Sequence, residues 1–580
     1  MISPGIRLLS GPFAIISLLL VVGYAVKIPV HVVLLCTVGA AVVLAPARIC
    51  LRRILQHIKA RAAGARLVPT ARGRYLGNLD ILADLRKEWN VSYPFEVLRK
   101  SLAGSQTIAL NLRIGWDDYI FTTQPEYIKL ILATDFANYV KGDALRYCMG
   151  SVLGTGVFNS DGEMWKFHRG ATRPFFNRDR ISDFEIFARH ADHAIERMKE
   201  RMRTGYAVDF QDLAGRFTVD SATSFLFGSC VDSLAAPLPY PSTAPSPFPA
   251  PASPDGADVF TAAYSTAINH VASRSRFGWI WPLFEITGDA TSEQMRVVDA
   301  YLEPIIAEAV ARKSALEVNG MPKGEPETLL DELLNLTSDP KVLKDEMLNI
   351  LLAGRDTTMS VLTFVIYFLS MYPAVFTRLR AEIVERVGCE RRPTYDDIRD
   401  MKYLRAVINE TMRLYPPVPG NLRESVHATI WPSDDPAQLP LYIPAGTKVS
   451  YSVFLMHRRK DLWGPTAEEF DPDRFLDERL RKYVLANPYC FLPFNAGPRV
   501  CLGQQFAYNE VSFMLIRLLQ SFTSTALATD AFPPHARVPF EWREGHGRMA
   551  VEQFRPRLHL TISSEGGMWV KMTERKDGEV

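Results

Sequence analysis

Cysteine is scarce in this chain and poorly arranged for cross-linking. Seven are spread over 580 residues, at positions 36, 50, 148, 230, 389, 490 and 501, and no two stand at CxxC spacing. An odd, dispersed set argues against a disulfide framework and against a thiolate zinc site. All but Cys501 are expected to be small buried hydrophobes, the usual environment of a free cysteine. Charge of one sign is lacking too: 66 Lys and Arg stand against 64 Asp and Glu, for a net +2. That balance provides no global basic field for nucleic acid. No internal repeat is visible.

What the chain does have, at its start, is length without charge. Residues 8–26 and 28–46 contain no Asp, Glu, Lys or Arg, and Lys27 separates them. Each run is close to the ~20 residues that cross a bilayer core. Arg48, Arg52, Arg53, Lys59, Arg61 and Arg66 follow, and such a basic flank stays cytosolic, with the rest of the chain behind it. Residues 1–66 are therefore expected to form a membrane anchor of one span or two. A cleaved leader headed by Arg7 is a poorer reading, because removing the first run would still leave the second.

Residues 67–78 read as a linker broken by Pro69, Gly73 and Gly77. Beyond it, helical patterns dominate: 180–203, 343–369, 375–387, 403–414 and 504–519. Strand-like runs are few: 107–112, 119–122, and 448–455 after the turn Pro444-Ala445-Gly446. The expectation is a mainly α protein with small β-sheets, an α+β arrangement, in which 67–580 is a single catalytic domain. Residues 236–254 (APLPYPSTAPSPFPAPASP) are too rich in proline for a helix interior or central strand. They read as an extended surface insertion.

The chemistry concentrates at 491–505, FLPFNAGPRVCLGQQ. A cysteine is an iron ligand only as thiolate, and that charge must be stabilised. Gly497 and Gly503 bracket Cys501, allowing a tight turn and close approach of a flat cofactor. A helix pattern beginning near Leu502 would put Cys501 at a helix amino terminus, where free amides favour the anion. Arg499 could pair with a cofactor carboxylate, and Phe494 would cover the sulfur. On this Phe-x-x-Gly-x-Arg-x-Cys-x-Gly pattern the sequence resembles the cytochrome P-450 monooxygenases. Asn495 stands where many members have glycine.

The resemblance implies a cytochrome P-450 fold, with haem held by the Cys501 thiolate, and it extends to other segments in the family's order. Glu410 and Arg413, one helical turn apart, are followed by Pro416-Pro417, and Arg474 lies in Phe470-Asp471-Pro472-Asp473-Arg474-Phe475. The family implies a structural Glu410–Arg413–Arg474 network. This helix also contains Asn409-Glu410-Thr411, a glycosylation pattern that is a chance match if the helix is buried. Within 343–369, Ala353-Gly354-Arg355-Asp356-Thr357-Thr358 places a glycine and two threonines in mid-helix, against propensity. Back-bonding hydroxyls loosen a helix and make a groove. There Thr357 would bond the distal oxygen and Asp356 would relay protons. Trp165 and Arg169, four apart on one helix face, would donate to a haem propionate, and Arg423 is a further donor. His168 and His457 read as structural.

Residues 153–176 and 493–506 resemble the alkane and fatty-acid hydroxylases of yeasts and their basidiomycete relatives, the fungal microsomal type. The implied reaction inserts one oxygen atom from O2 into a long-chain or otherwise lipophilic substrate, at the endoplasmic reticulum membrane with the catalytic domain cytosolic. No flavin module is apparent after Gly503, so electrons are expected from NADPH-cytochrome P-450 reductase, with cytochrome b5 as an additional candidate. The alternative is a haem-thiolate isomerase or dehydratase that rearranges peroxides without external electrons. Substrate contacts are expected in segments without fixed pattern, 141–157 and 277–284.

Overall fold

The computed structural model describes residues 3–105, 107–176, 184–244, 256–318, 328–433, 435–576 and 578. Two apolar helices, Pro4–Ala25 and Val30–Ala62, form a hairpin closed by the turn 26–29. Gly23 lets them approach: a Cβ there would stand 2.4 Å from Val33 Cγ2. At about 1.5 Å per residue, the 22-residue first helix extends about 33 Å. Its start returns to the domain, where Ser3 Oγ donates to Ile286 O at 2.5 Å and Gly5 N to Glu285 O at 3.3 Å. The second helix ends beside Arg66–Leu67, which pairs in parallel with Leu441–Ile443.

The domain itself is helical, with sheets at its margins. The largest sheet has five strands in the order Ala109–Asn111, Tyr119–Thr122, Lys448–Ser452, Gly420–Ser425 and Tyr139–Val140. At its centre Arg423 pairs with Val449 across an antiparallel ladder. The strand expected over 448–455 is shorter because Ser452 caps a helical turn, Val453–Met456, through its hydroxyl.

Helix Pro340–Met371 is the organising element. Its second half, from Leu362 to Leu369, is completely buried, packed on Phe210–Phe227, Lys402–Leu414 and Gln504–Ser521. It is apolar and long enough to cross a membrane, yet it lies in the core. A helix apolar on all sides is buried in protein or in lipid, and only packing distinguishes the two. The helix expected over 180–203 is observed as Glu185–Arg203, its start lying outside the described residues.

Two expectations need correction. Of the six cysteines read as buried, only Cys148 and Cys490 are; Cys36 and Cys50 are exposed on the second anchor helix, and Cys230 and Cys389 are half-buried. A thiol on a lipid-length helix meets no protein core, so a composition-based prior does not apply to it. The proline-rich insertion is not simply draped over the surface: Leu238 is buried, and Arg201 donates to the carbonyls of Leu238 and Pro239 while stacking 3.6 Å from the Tyr240 ring centroid. Residues 245–254 lie outside the described residues.

The Glu410 network is assembled in full. Arg413 Nε and Nη2 meet Glu410 Oε2 and Oε1 at 2.7 and 2.9 Å, and Arg474 Nε meets Oε1 at 3.4 Å. All three side chains are fully buried. The spare guanidinium donors reach the carbonyls of His457, Glu469, Trp463 and Thr466. His457 extends the network, with Nδ1 3.1 Å from Arg413 O and Nε2 accepting from Leu492 N at 3.0 Å. Burial and the nearby Arg413 push its pKa down to about 3, so it stays neutral. Asn409 accepts from Tyr508 Oη at 2.6 Å inside this packed region, which makes the sequon a chance match. Replacing Glu410 by Gln leaves two buried guanidiniums without a counter-charge, and the expected loss is about 3–5 kcal/mol. Denaturant titration of haem-loaded protein checks it; an unchanged midpoint would mean the network adds no stability.

Candidate active site

One cavity of about 810 Å³ brings together residues from across the chain, including Trp165, Arg169, Thr357, Arg423, Phe494, Arg499 and Cys501. It also takes in Lys141, Cys148, Val157, Phe277 and Trp279, so both patternless segments line it.

The thiolate loop is a strained turn. Asn495 and Gly497 both have positive φ, +64° and +65°. A Cβ on Gly497 would stand 1.8 Å from Leu132 O, so that position requires glycine. Asn495 tolerates left-handed backbone better than most residues, and its Oδ1 accepts from Tyr451 Oη at 2.8 Å. Cys501 N donates to Phe494 O at 3.0 Å, closing the loop. The Phe494 ring packs 5.1 Å from Tyr508 and also lines the cavity. The helix after the cysteine begins at Gln504, with Gly503 as its cap, later than expected. Cys501 is therefore not a first-turn residue. Burial pushes its thiol up, while the Gly503 amide and Arg169 pull it down.

Cations crowd one side of this cavity. Arg499 Nη2 donates to Asp161 Oδ1 at 2.8 Å and Ser160 O at 2.9 Å, and its guanidinium lies 4.7 Å from the Trp165 ring centroid. Its Nε is buried without a partner among the described residues. Burial, with Arg423 and Arg169 nearby, pushes Arg499 down to about 10 despite Asp161. Lys141 is pulled well below its ordinary value by burial, then by Arg423 and Arg499. Arg423 is buried and spends one donor on Leu422 O. Lys141, Arg169 and Arg423 thus gather around Arg499, whose carboxylate partner is Asp161. Such an imbalance, together with an orphaned guanidinium N–H, fits a flat cofactor bearing two carboxylates near a thiolate. Haem meets that description. Lys141 and Asp161 were missed in the sequence because neither belongs to a motif with the cysteine.

The central helix passes the cavity unbroken. Residues 352–357 are half-buried within an otherwise buried rod, and Leu352, Ala353, Gly354 and Thr357 line the cavity. Thr357 Oγ1 donates to Ala353 O at 2.5 Å, the expected back-bond, without breaking the helix. Asp356 does not line the cavity. It lies 3.3 Å from Arg355 Nη1, which donates to Ser265 on helix Gly256–Phe277; burial pushes its carboxyl up. A direct relay from Asp356 into the cavity is not what this geometry presents. Successive helical side chains diverge by about 100°, so Asp356 and Thr357 cannot share a face. His168 is a core residue with Nδ1 2.8 Å from Glu346 Oε2, away from the cavity.

A further acid, Glu510, was not read from the sequence. It is buried on helix Gln504–Ser521, and neither carboxyl oxygen has a well-formed hydrogen bond among the described residues. Burial pushes it up to about 8, softened by the nearby Thr358 and Ser221 hydroxyls.

Comparison with known proteins agrees with this geometry. The family model for cytochrome P450 matches residues 102–538. Cytochrome P450 monooxygenase himC of Aspergillus japonicus is 35% identical over 457 residues, 78% of this chain and 74% of the relative. Cytochrome P450 52-E3 of Starmerella bombicola is 34% identical, covering 83% of this chain and 86% of that one. Cytochrome P450 52A3-A of Candida maltosa is 34% identical, over 77% and 82%. The crystal structure of the cytochrome P450DA heme domain superposes with a TM-score of 0.65 at 18% identity, over 89% of this chain and 98% of that one. The fold and cavity define a haem-thiolate enzyme. The chain belongs to the cytochrome P450 family, is a monooxygenase, and binds haem through a cysteine thiolate.

Two tests follow from the loop and the buried acid. Asn495→Gly is expected to stay within about 1 kcal/mol of wild type, since relief of strain offsets the lost Tyr451 bond, whereas Asn495→Val costs at least about 2 kcal/mol. Equal stability of the two variants would mean the backbone does not need a left-handed residue. For Glu510, an unfolded carboxyl ionises near 4.5 but the folded one only near 8. Stability from this group is therefore lost as pH rises between those values and is flat above them. Glu510→Gln should remove that slope, on the order of a few kcal/mol; unfolding at pH 5 and pH 8 measures it, and an unchanged slope would exonerate Glu510.

Proposed function

We propose that this protein hydroxylates long-chain lipophilic substrates, alkanes or fatty acids, at the endoplasmic reticulum membrane. The balance is R–H + O2 + NADPH + H+ giving R–OH + H2O + NADP+, with electrons delivered by a separate NADPH-dependent flavoprotein reductase, and cytochrome b5 as a second donor. The observation that carries the reading is that Cys501 and Thr357, from elements 144 residues apart in sequence, open into one cavity.

In this reading the Cys501 thiolate would hold the haem iron, and haem would supply oxygen activation when bound. Arg499, Arg169, Arg423 and Trp165, joined by Lys141, would hold the cofactor's carboxylate edge. Thr357 offers a hydroxyl at the cavity surface and can move a proton there, because its back-bond to Ala353 O leaves the oxygen free to accept. Asp356 would serve only through an intermediary reaching past Arg355. The Glu410, Arg413 and Arg474 group positions the loop and does no chemistry.

Membrane access is supported by the cavity rim. Leu79, Trp116 and Trp279 line the cavity yet are 51%, 44% and 57% exposed, and Leu76, Phe284 and Ile286 extend this apolar surface. The first apolar helix begins against the same 282–286 segment. A hairpin anchor then leaves Arg7 and the basic flank after residue 47 on one side, as the positive-inside preference asks. The name of the Aspergillus japonicus relative, a cytochrome P450 monooxygenase, disfavours the peroxide-rearranging alternative.

The reduced protein under carbon monoxide should give the thiolate-type absorption band, and Cys501→Ala should abolish it. A persisting band would shift the ligand to another cysteine, with Cys148 the other one on the cavity wall. With reductase, NADPH should be consumed when alkane or fatty acid is added. Thr357→Ala should lower product per NADPH by at least about tenfold. Turnover with peroxide alone, and none with NADPH, would overturn the reading.

A further inference from the structure

Six cations line the cavity: Lys141, Arg169, Arg276, Arg423, Lys448 and Arg499. Lys141, Arg169, Arg423 and Arg499 form one cluster, and Lys448 lies 3.6 Å from Asp117. Arg276 belongs to neither group. It stands in the last turn of helix Gly256–Phe277, immediately before the exposed apolar segment at the rim. Its guanidinium lies 5.3 Å from the Trp89 ring centroid, and one Nη2 donates to the backbone carbonyl of Leu558. No carboxylate pairs with it among the described residues. Burial, and after it the positive charge of Arg557, pushes it down to about 10.

Much of the surrounding wall is apolar. Leu82, Trp89, Phe277 and Leu558 are apolar neighbours in the lining. Glu88, on the same helix as Trp89, also lines the cavity, but its Oε2 is taken by Val97 N on the next helix. A half-buried guanidinium in a largely apolar wall is stabilised when an anion completes it. A planar fork of N–H groups matches a carboxylate bidentately.

We infer that Arg276 is the head-group site of this cavity, taking the carboxylate of a long-chain fatty acid whose chain runs towards Thr357 and Cys501. The inference deepens the lipophilic-substrate reading and rests on it. It separates the acid from the alkane: both can fill the apolar cavity, and only the acid gains a charge-assisted hydrogen bond. Such a bond corresponds to roughly tenfold to a hundredfold in affinity.

The test uses the full-length haem-loaded protein and the haem absorption change on substrate binding, with palmitate, methyl palmitate and hexadecane as probes. Wild type should bind palmitate at least roughly tenfold more tightly than methyl palmitate, which has the same chain and no charge. Arg276→Gln should reduce the palmitate-to-hexadecane affinity ratio by roughly tenfold to a hundredfold, and Arg276→Lys should recover part of it. Equal binding of palmitate and its methyl ester by wild type would overturn the inference without needing a variant. So would a parallel loss of palmitate and hexadecane in Arg276→Gln, which would make the arginine a wall element only. Binding of hexadecane but not palmitate by wild type would sink this inference and spare the lipophilic reading; binding of neither would sink both.

Discussion

The carboxylate of Glu410 carries two guanidiniums in a place that water does not reach. Either arginine buried there without the carboxylate would carry a desolvation penalty greater than one hydrogen bond returns. Shared between Arg413 and Arg474, and supplemented by backbone carbonyls on both, the charges are satisfied. The consequence reaches the active site through one imidazole: Arg413 O holds His457, and His457 holds the amide of Leu492 at the entry to the thiolate loop. A network with no chemical step of its own thereby fixes where the sulfur stands.

The loop shows how a tight turn is tolerated when the site needs it. Gly497 has no alternative, since any side chain would meet Leu132 O. Asn495 solves the same backbone problem differently, accepting a left-handed φ and recovering a hydrogen bond from Tyr451. The substitution of asparagine for the family's usual glycine is thus a local exchange of conformational freedom for a specific contact. The cavity's electrostatics follow a similar logic at larger scale. Lys141, Arg169, Arg423 and Arg499 come from four separate segments, and their excess over Asp161 fits an anionic cofactor edge.

Much of this was legible beforehand where it was local. Strand Tyr119–Thr122 was read with its observed bounds, and helix Lys402–Leu414 to within one residue, because their apolar periodicity and flanking turns lie within a few residues. The Cys501 loop was legible because residue type and spacing together carry its chemistry. Asp356 shows the limit. Adjacency to Thr357 in the motif suggested a shared role, but a helix turns neighbours apart, and the carboxylate faces Arg355 and the Ser265 helix instead. Cys36 and Cys50 show another limit, since burial within a protein and exposure along an apolar anchor look alike in composition.

By itself the sequence determined the ligand type, the two uncharged apolar runs and the Glu410–Arg413 pair, since each depends on side-chain chemistry at short, fixed spacing. The tertiary structure decided what depends on distance between remote segments. It determined that Pro340–Met371 is a core helix despite its membrane-like hydropathy, that Lys141 and Asp161 join the arginines at one edge, and that Glu510 is enclosed near the Thr358 and Ser221 hydroxyls. It also left Arg276 without a carboxylate partner at the rim among the described residues. Burial and Coulomb interactions act through space, and no periodicity along the chain encodes which charges will meet.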